Sequence, residues 1–136
     1  MGGFINHTTP GPLSSFPLAL SIETKRYGGD QRKADVQTAT WHVSQWTFLQ
    51  SLARDKILEL PFLLGIVFHA HEWKFVASSR NGNETILWSS CPIGSTITTV
   101  GVFQILAGPQ RLRKRCEDMY WLWNKRNILH LGQEIE

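Results

Sequence analysis

The sequence predicts a layered α/β fold, on the border of α+β, and three observations lead there. Residues 17–25 alternate with period two and then give way to helical spacing from Asp30 to about Asp55. The continuous apolar run "LPFLLGIVFHAH" is followed by the alternating "EWKFVASS" and the turn "RNGN". The last third, from about Ser95 to Asn127, returns to helical spacing. The order is strand, helix, three strands, helices, and such an order packs as layers of sheet and helix.

Each element has its own warrant. Residues 1–16 are rich in Gly, Pro, Ser and Thr and read as an irregular leading segment. In the first strand Leu18, Leu20 and Ile22 share one face, and Ala19, Ser21, Glu23 and Lys25 share the other. "YGGD" ends it, and Asp30 is placed to cap the helix that follows. On that helix Ala34, Trp41, Phe48 and Leu52 recur in register with Gln37 and Gln45. Val36, Val43, Trp46 and Leu49 widen its apolar face, so it is expected to be covered on most sides. Asn81-Gly82 predicts a hairpin turn, closed by "ETILWSS". In the last third Gly108-Pro109 is expected to kink or split the helix, and Ser95 or Thr96 to cap its start. The domain is expected over residues 17–129, with a tail at 130–136.

Bulk properties narrow the function classes. The chain has 136 residues, enough for one domain with a real core. Its 42% apolar and 18% charged residues exclude intrinsic disorder. The net charge of +3 permits an anionic partner without demanding one. Cys91 and Cys116 match no zinc or redox spacing and read as reduced thiols. No apolar run reaches the ~20 residues of a membrane span, and no secretory signal opens the chain. An intracellular location, nucleus or cytoplasm, and no membrane partner are expected.

The chemistry concentrates in "SIETKR". Residues two apart on a strand project together, so Glu23 and Lys25 are neighbours at the C-terminal end of the first strand. Open α/β sheets place their sites at such ends. A carboxylate there can hold Mg²⁺, and a lysine beside it can orient water or steady charge on a phosphate. The same pair can equally be a solvated ion pair at a strand edge. Gln37 and Trp41, one turn apart on the next helix, share a face and can reach back towards the pair.

At this point "LALSIETKRYGGDQRKADVQTATWHVSQWTFL" resembles the E-x-K motif and following helix of the PD-(D/E)XK nuclease superfamily, and more narrowly a nuclease-like domain common among filamentous fungi. "LPFLLGIVFHAHEWKFVASS", "LWSSCPIGST", "GVFQILAG" and "MYWLWNKRNIL" extend the likeness from about Asn6 to Leu129. The resemblance implies a central mixed β-sheet flanked by helices, restriction-endonuclease-like. It implies Mg²⁺-dependent phosphodiester hydrolysis of nucleic acid, DNA in the first instance. It also implies that Glu23 is the metal ligand, Lys25 the catalytic lysine, and Gln37, with Trp41, the helix motif beside the site. One departure stands out. The family's aspartate lies on a strand before the E-x-K strand, with a helix and a further strand ahead of it. Here twenty-two residues precede Glu23 and none is Asp or Glu. The chain thus resembles the C-terminal portion of the family domain, shortened at its N-terminus. Weak or absent cleavage is expected, with a non-catalytic role in binding nucleic acid or protein as the alternative. A missing neighbour strand would also leave a sheet edge open to self-association.

Two further groupings carry chemistry in principle. "HAHEW" places His69 and His71 two apart, a spacing able to hold zinc if a third ligand joins them, and otherwise plain sheet residues. "RLRKRCEDMYWLWNKR" sets six cations among aromatics, which suits a phosphate backbone or, more plainly, the solvated face of an amphipathic helix.

Overall fold

A computed structural model describes residues 6–7, 17–26 and 28–132. Most of the leading segment and the end of the tail lie outside the described residues. Strand β1 (Leu20–Lys25) is followed by helix α1 (Gln31–Ala53) and a 3₁₀ turn at Arg54–Glu59. Strands β2 (Leu63–His69), β3 (Glu72–Asn81) and β4 (Glu84–Ser95) come next. Helix α2 (Thr99–Arg115) runs through a π-helical stretch at Cys116–Trp121 into α3 (Leu122–Asn127).

The four strands form one sheet in the order β1-β2-β3-β4. β1 runs parallel to β2, and the two hairpin-joined pairs are antiparallel, so the sheet is mixed, flanked by helices and consistent with a restriction-endonuclease-like α/β fold. The parallel step needs a crossover, and α1 supplies it. Among the described residues β1 is therefore an edge strand. β2 is the most deeply buried strand, which its unbroken apolar run requires.

α1 closes one face of the sheet. Asp30 caps it as expected, its carboxylate accepting from Arg32 N at 2.9 Å. Its buried stripe differs from the expected one. Ala34, Thr38, His42, Gln45, Trp46, Leu49 and Ala53 face inward, whereas Trp41, Val43, Leu52 and above all Val36 are exposed. The cause is the sheet beneath. Ser21 and Gly65 pair across β1 and β2 and leave a recess on this face, and His42 fills it. A Cβ on Gly65 would lie 2.8 Å from Ser21 Oγ, 2.9 Å from Val76 Cγ2 and 3.3 Å from His42 Nε2. Gly65 is thus glycine because an imidazole stands over it.

The main core joins the C-terminal half of α1 to the 3₁₀ turn, the start of β2 and the π–α3 region. Trp46, Leu49, Ile57, Leu63, Tyr120 and Trp123 make its centre. A smaller core of Ala34, Val67 and Val76, with Leu87 against it, lies between α1 and the sheet.

Three local expectations shift. The β3–β4 turn is Gly82-Asn83, with Gly82 at φ +58° and Asn81 paired to Glu84, one residue beyond the dipeptide that signals it. The cap of α2 is Thr98, whose hydroxyl accepts from Gly101 N at 2.9 Å, while Ser95 still belongs to β4. Finally, α2 is continuous through Gly108-Pro109. A proline inside a helix removes one backbone bond but does not oblige the helix to stop. Gly108 is a close approach of α2 to β4, since a Cβ there would lie 2.6 Å from Ile93 Cγ2. The irregularity comes later, in the π-helical stretch.

Candidate functional site

β1 builds the site by strand alternation alone. Ser21, Glu23 and Lys25 project towards α1, while Ile22 and Thr24 point to the other face and are exposed. Lys25 Nζ pairs with Glu23 Oε1 at 3.2 Å and donates to Gln37 Oε1 from the second turn of α1. The structure therefore brings together the three residues that the sequence singles out. It does so with ordinary elements: a strand that puts two residues on one face, and a capped helix that returns across them. Both ends of the ion pair remain partly open to solvent.

Behind this group lies a polar core that the sequence pattern does not announce. The His42 ring meets Ser21 Oγ at 2.8 Å through Nε2 and Ser78 Oγ at 2.6 Å through Nδ1. Trp46 Nε1 donates to the same Ser78 hydroxyl at 2.9 Å. A neutral imidazole donates through one nitrogen and accepts at the other, and serine hydroxyls satisfy either tautomer. Burial keeps the ring neutral, lowering its pKa from 6.5 to about 4, with the nearby His7 adding to the effect. His7 itself is lowered by burial. Its ring stands edge-on to Trp41, with centroids 4.4 Å apart and planes at 81°.

The group opens onto a cleft of about 830 Å³ between the outer side of β1 and α1. Trp41 and the β1 edge at Leu20 and Ile22 border it with apolar groups, and Glu23, Gln37 and Ser44 with polar ones.

The C-terminal end of β2 meets the same corner. His69 pairs with Lys25 in the parallel register, and its Nε2 donates to Gly29 O at 2.8 Å, tying down the loop after β1. His71 instead lies in the two-residue β2–β3 turn, where Nδ1 meets Thr96 Oγ1 at 2.7 Å. The two histidines so part company, and His71 is not a strand residue. The basic stretch also resolves in part into helix-surface pairs, Arg113 with Glu117 at 2.9 Å and Lys114 with Asp118 at 3.5 Å.

The chain matches the model of the PD-(D/E)XK nuclease superfamily over residues 1–121. It belongs to that superfamily. No curated protein and no solved structure matches it at a significant level. A PD-(D/E)XK nuclease typically works with Mg²⁺, so the fit of that ion to the residues has to be tested. Mg²⁺ demands near-octahedral oxygen coordination, usually with one or two carboxylates. Here Glu23 supplies one carboxylate, already paired with Lys25. Among the described residues no three His, Cys, Asp or Glu side chains gather into a metal-holding group. These residues on their own do not fit a resident Mg²⁺. Neither do any described helices suit a bilayer, since none is long and apolar enough to cross a membrane.

Proposed function

We propose that this PD-(D/E)XK nuclease-like domain engages the phosphodiester backbone of nucleic acid, DNA in the first instance, at Lys25, and cuts it weakly or not at all. Its descent is Mg²⁺-dependent phosphodiester hydrolysis. Its own residues contribute Glu23 as a metal carboxylate, Lys25 as the group that meets the scissile phosphate, and Gln37 as the support that holds the lysine. One observation carries the reading: Lys25 stands between Glu23 and Gln37. An ammonium has three donors, and these two partners engage two of them. The third can serve a phosphate oxygen without dismantling the pair. Glu23 alone, by contrast, leaves the ion short of ligands, which supports slow chemistry. Intracellular nucleic acid, in nucleus or cytoplasm, is the matching target.

The test combines cleavage and binding. Plasmid and oligonucleotide are incubated with Mg²⁺ or Mn²⁺ and wild type, Glu23→Ala or Lys25→Ala, and binding is titrated over a salt series. The expected outcome is salt-sensitive binding, with any slow cleavage lost in both variants. Lys25→Ala should lower the slope of log affinity against log salt by about one phosphate contact. Cleavage that survives both substitutions would overturn the site, and absence of nucleic-acid binding would overturn the reading.

A second, non-catalytic reading has its own observation. β1 is paired on one side only among the described residues, and Ile22 on it is 56% exposed. An open, partly apolar edge favours strand-to-strand association with another copy. Sedimentation velocity across a concentration series decides it, and a monomer throughout would refute it.

A further inference from the structure

We propose that the cleft beside Lys25 is a nucleobase pocket with Trp41 as its stacking platform, so that the domain takes single-stranded or locally unpaired nucleic acid. This rests on the reading of Lys25 as a phosphate-binding group and adds the class of substrate to it. Trp41 belongs to neither buried cluster and is 39% exposed, an unfavourable position for an indole with no partner. It is nonetheless not a loose surface side chain, because His7 braces it edge-to-face. A braced ring has already lost its rotamer freedom, so a base that stacks on it does not have to order it.

Position then decides what the ring can meet. Gln37, which receives the Lys25 ammonium, and Trp41 lie four residues apart on α1, about 6 Å along the axis. Both line the same cleft, together with Glu23 and, along the β1 edge, Leu20 and Ile22. That spacing suits one nucleotide, its phosphate at Lys25 and its base on Trp41. The volume of about 830 Å³ falls in the range of small-molecule sites, roughly 300–1,000 Å³, and exceeds what a single base needs. A base within a duplex is covered on both faces, so only an unpaired or extruded one can enter.

The hydrogen-bonding groups of the cleft say what kind of recognition this is. Thr40 donates to Val36 O at 2.8 Å and Ser44 to Thr40 O at 3.1 Å, both within their own helix. Gln45 donates to Leu18 O at 2.7 Å. With these donors committed, the Trp41 face is the main feature the pocket offers a base, with Gln37 and Glu23 as polar groups at its edge.

The experiment is fluorescence anisotropy with three labelled probes of equal length: a mixed-sequence single strand, the same strand made abasic throughout, and the duplex. Wild type, Trp41→Ala, Trp41→Phe and Lys25→Ala are compared, with far-UV circular dichroism to confirm that each folds. Wild type should bind the base-bearing strand about ten-fold tighter than the abasic one. Trp41→Ala should erase that preference and leave abasic affinity unchanged, and Trp41→Phe should keep most of it. Lys25→Ala should weaken both single strands equally and preserve their ratio. A ratio indifferent to Trp41, or a duplex bound as well as the single strand, overturns the pocket while leaving the phosphate reading intact. If Lys25→Ala weakens neither strand, the phosphate reading falls instead. If Trp41→Ala changes the sedimenting mass and not the base preference, the cleft belongs to a second chain and the proposal fails.

Discussion

Lowering the pH from 7.5 to 5 should unlatch α1 from the sheet through one imidazole. His42 is fully buried, and both ring nitrogens are engaged by serine hydroxyls. Burial, with a smaller contribution from His7, depresses its pKa from 6.5 to about 4. The folded chain therefore holds His42 neutral in a range where the unfolded chain already binds a proton. For a depressed histidine the stabilisation is complete above pH 6.5 and is lost as pH falls towards 4. One pKa unit corresponds to about 1.36 kcal/mol, so the whole gap is worth roughly 3 kcal/mol, of which about 2 kcal/mol has gone by pH 5. Stopping at pH 5 keeps most carboxylates ionised. Urea unfolding at four pH values, for wild type and His42→Gln, measures the effect. The variant cannot titrate at this position, and its curve should be flatter by about 2 kcal/mol. It should also be less stable at pH 7.5, by about 1–3 kcal/mol, because Ser21, Ser78 and Trp46 lose an ideal partner. His7 is present in both proteins and cancels in the comparison. Two curves that fall in parallel would refute the assignment of acid sensitivity to His42.

Further outcomes follow from close contacts and caps. Gly65→Ala inserts a Cβ among Ser21, Val76 and His42 and should cost about 1–3 kcal/mol in urea unfolding; no loss would mean that the recess is looser than 2.8–3.3 Å. Thr98→Ala removes the α2 cap and should lower stability by about 1 kcal/mol, with Thr98→Asn restoring most of it. Of the two cysteines, the exposed Cys91 should react with a thiol reagent in the native protein. Cys116 should react only on unfolding, since burial, and then Glu117, raise its thiol pKa.

The parts of the site that the sequence displays are those set by short-range geometry. Glu23 and Lys25 share a face because a strand repeats every two residues, and that needs no tertiary knowledge. Asp30 caps α1 and Gln37 returns to Lys25 for equally local reasons, from the second turn of a helix that starts after a five-residue break. The parts that stay hidden depend on partners far along the chain. His42 is buried because Ser21, Gly65 and Ser78, from three different strands, leave it a recess with matching hydroxyls. A hydrophobicity count marks Thr38 and His42 as the outer side of α1, yet they are its inner side. The only local hint is the four-residue spacing of Ala34, Thr38, His42 and Trp46, whose two apolar ends do lie inside. Likewise nothing near Gly108-Pro109 reveals that Ile93 of β4 needs the glycine as a seat for α2.

The outer side of β1 is where the catalytic and the binding readings meet. On its other side the strand is closed by β2, and over its functional face it is closed by α1, with Ser21 committed to His42. The cleft that contains Trp41 and Ile22 also reaches Glu23, the partner of Lys25. A strand laid along β1 would cover Ile22 and fill this space; a base stacked on Trp41 would fill it too. The two occupants therefore compete. If self-association and base stacking are both real, raising protein concentration should weaken the preference for base-bearing strands, and adding single strand should shift the protein towards monomer. Indifference of each to the other would place strand pairing and the base on separate surfaces, and the cleft could then serve only one of them.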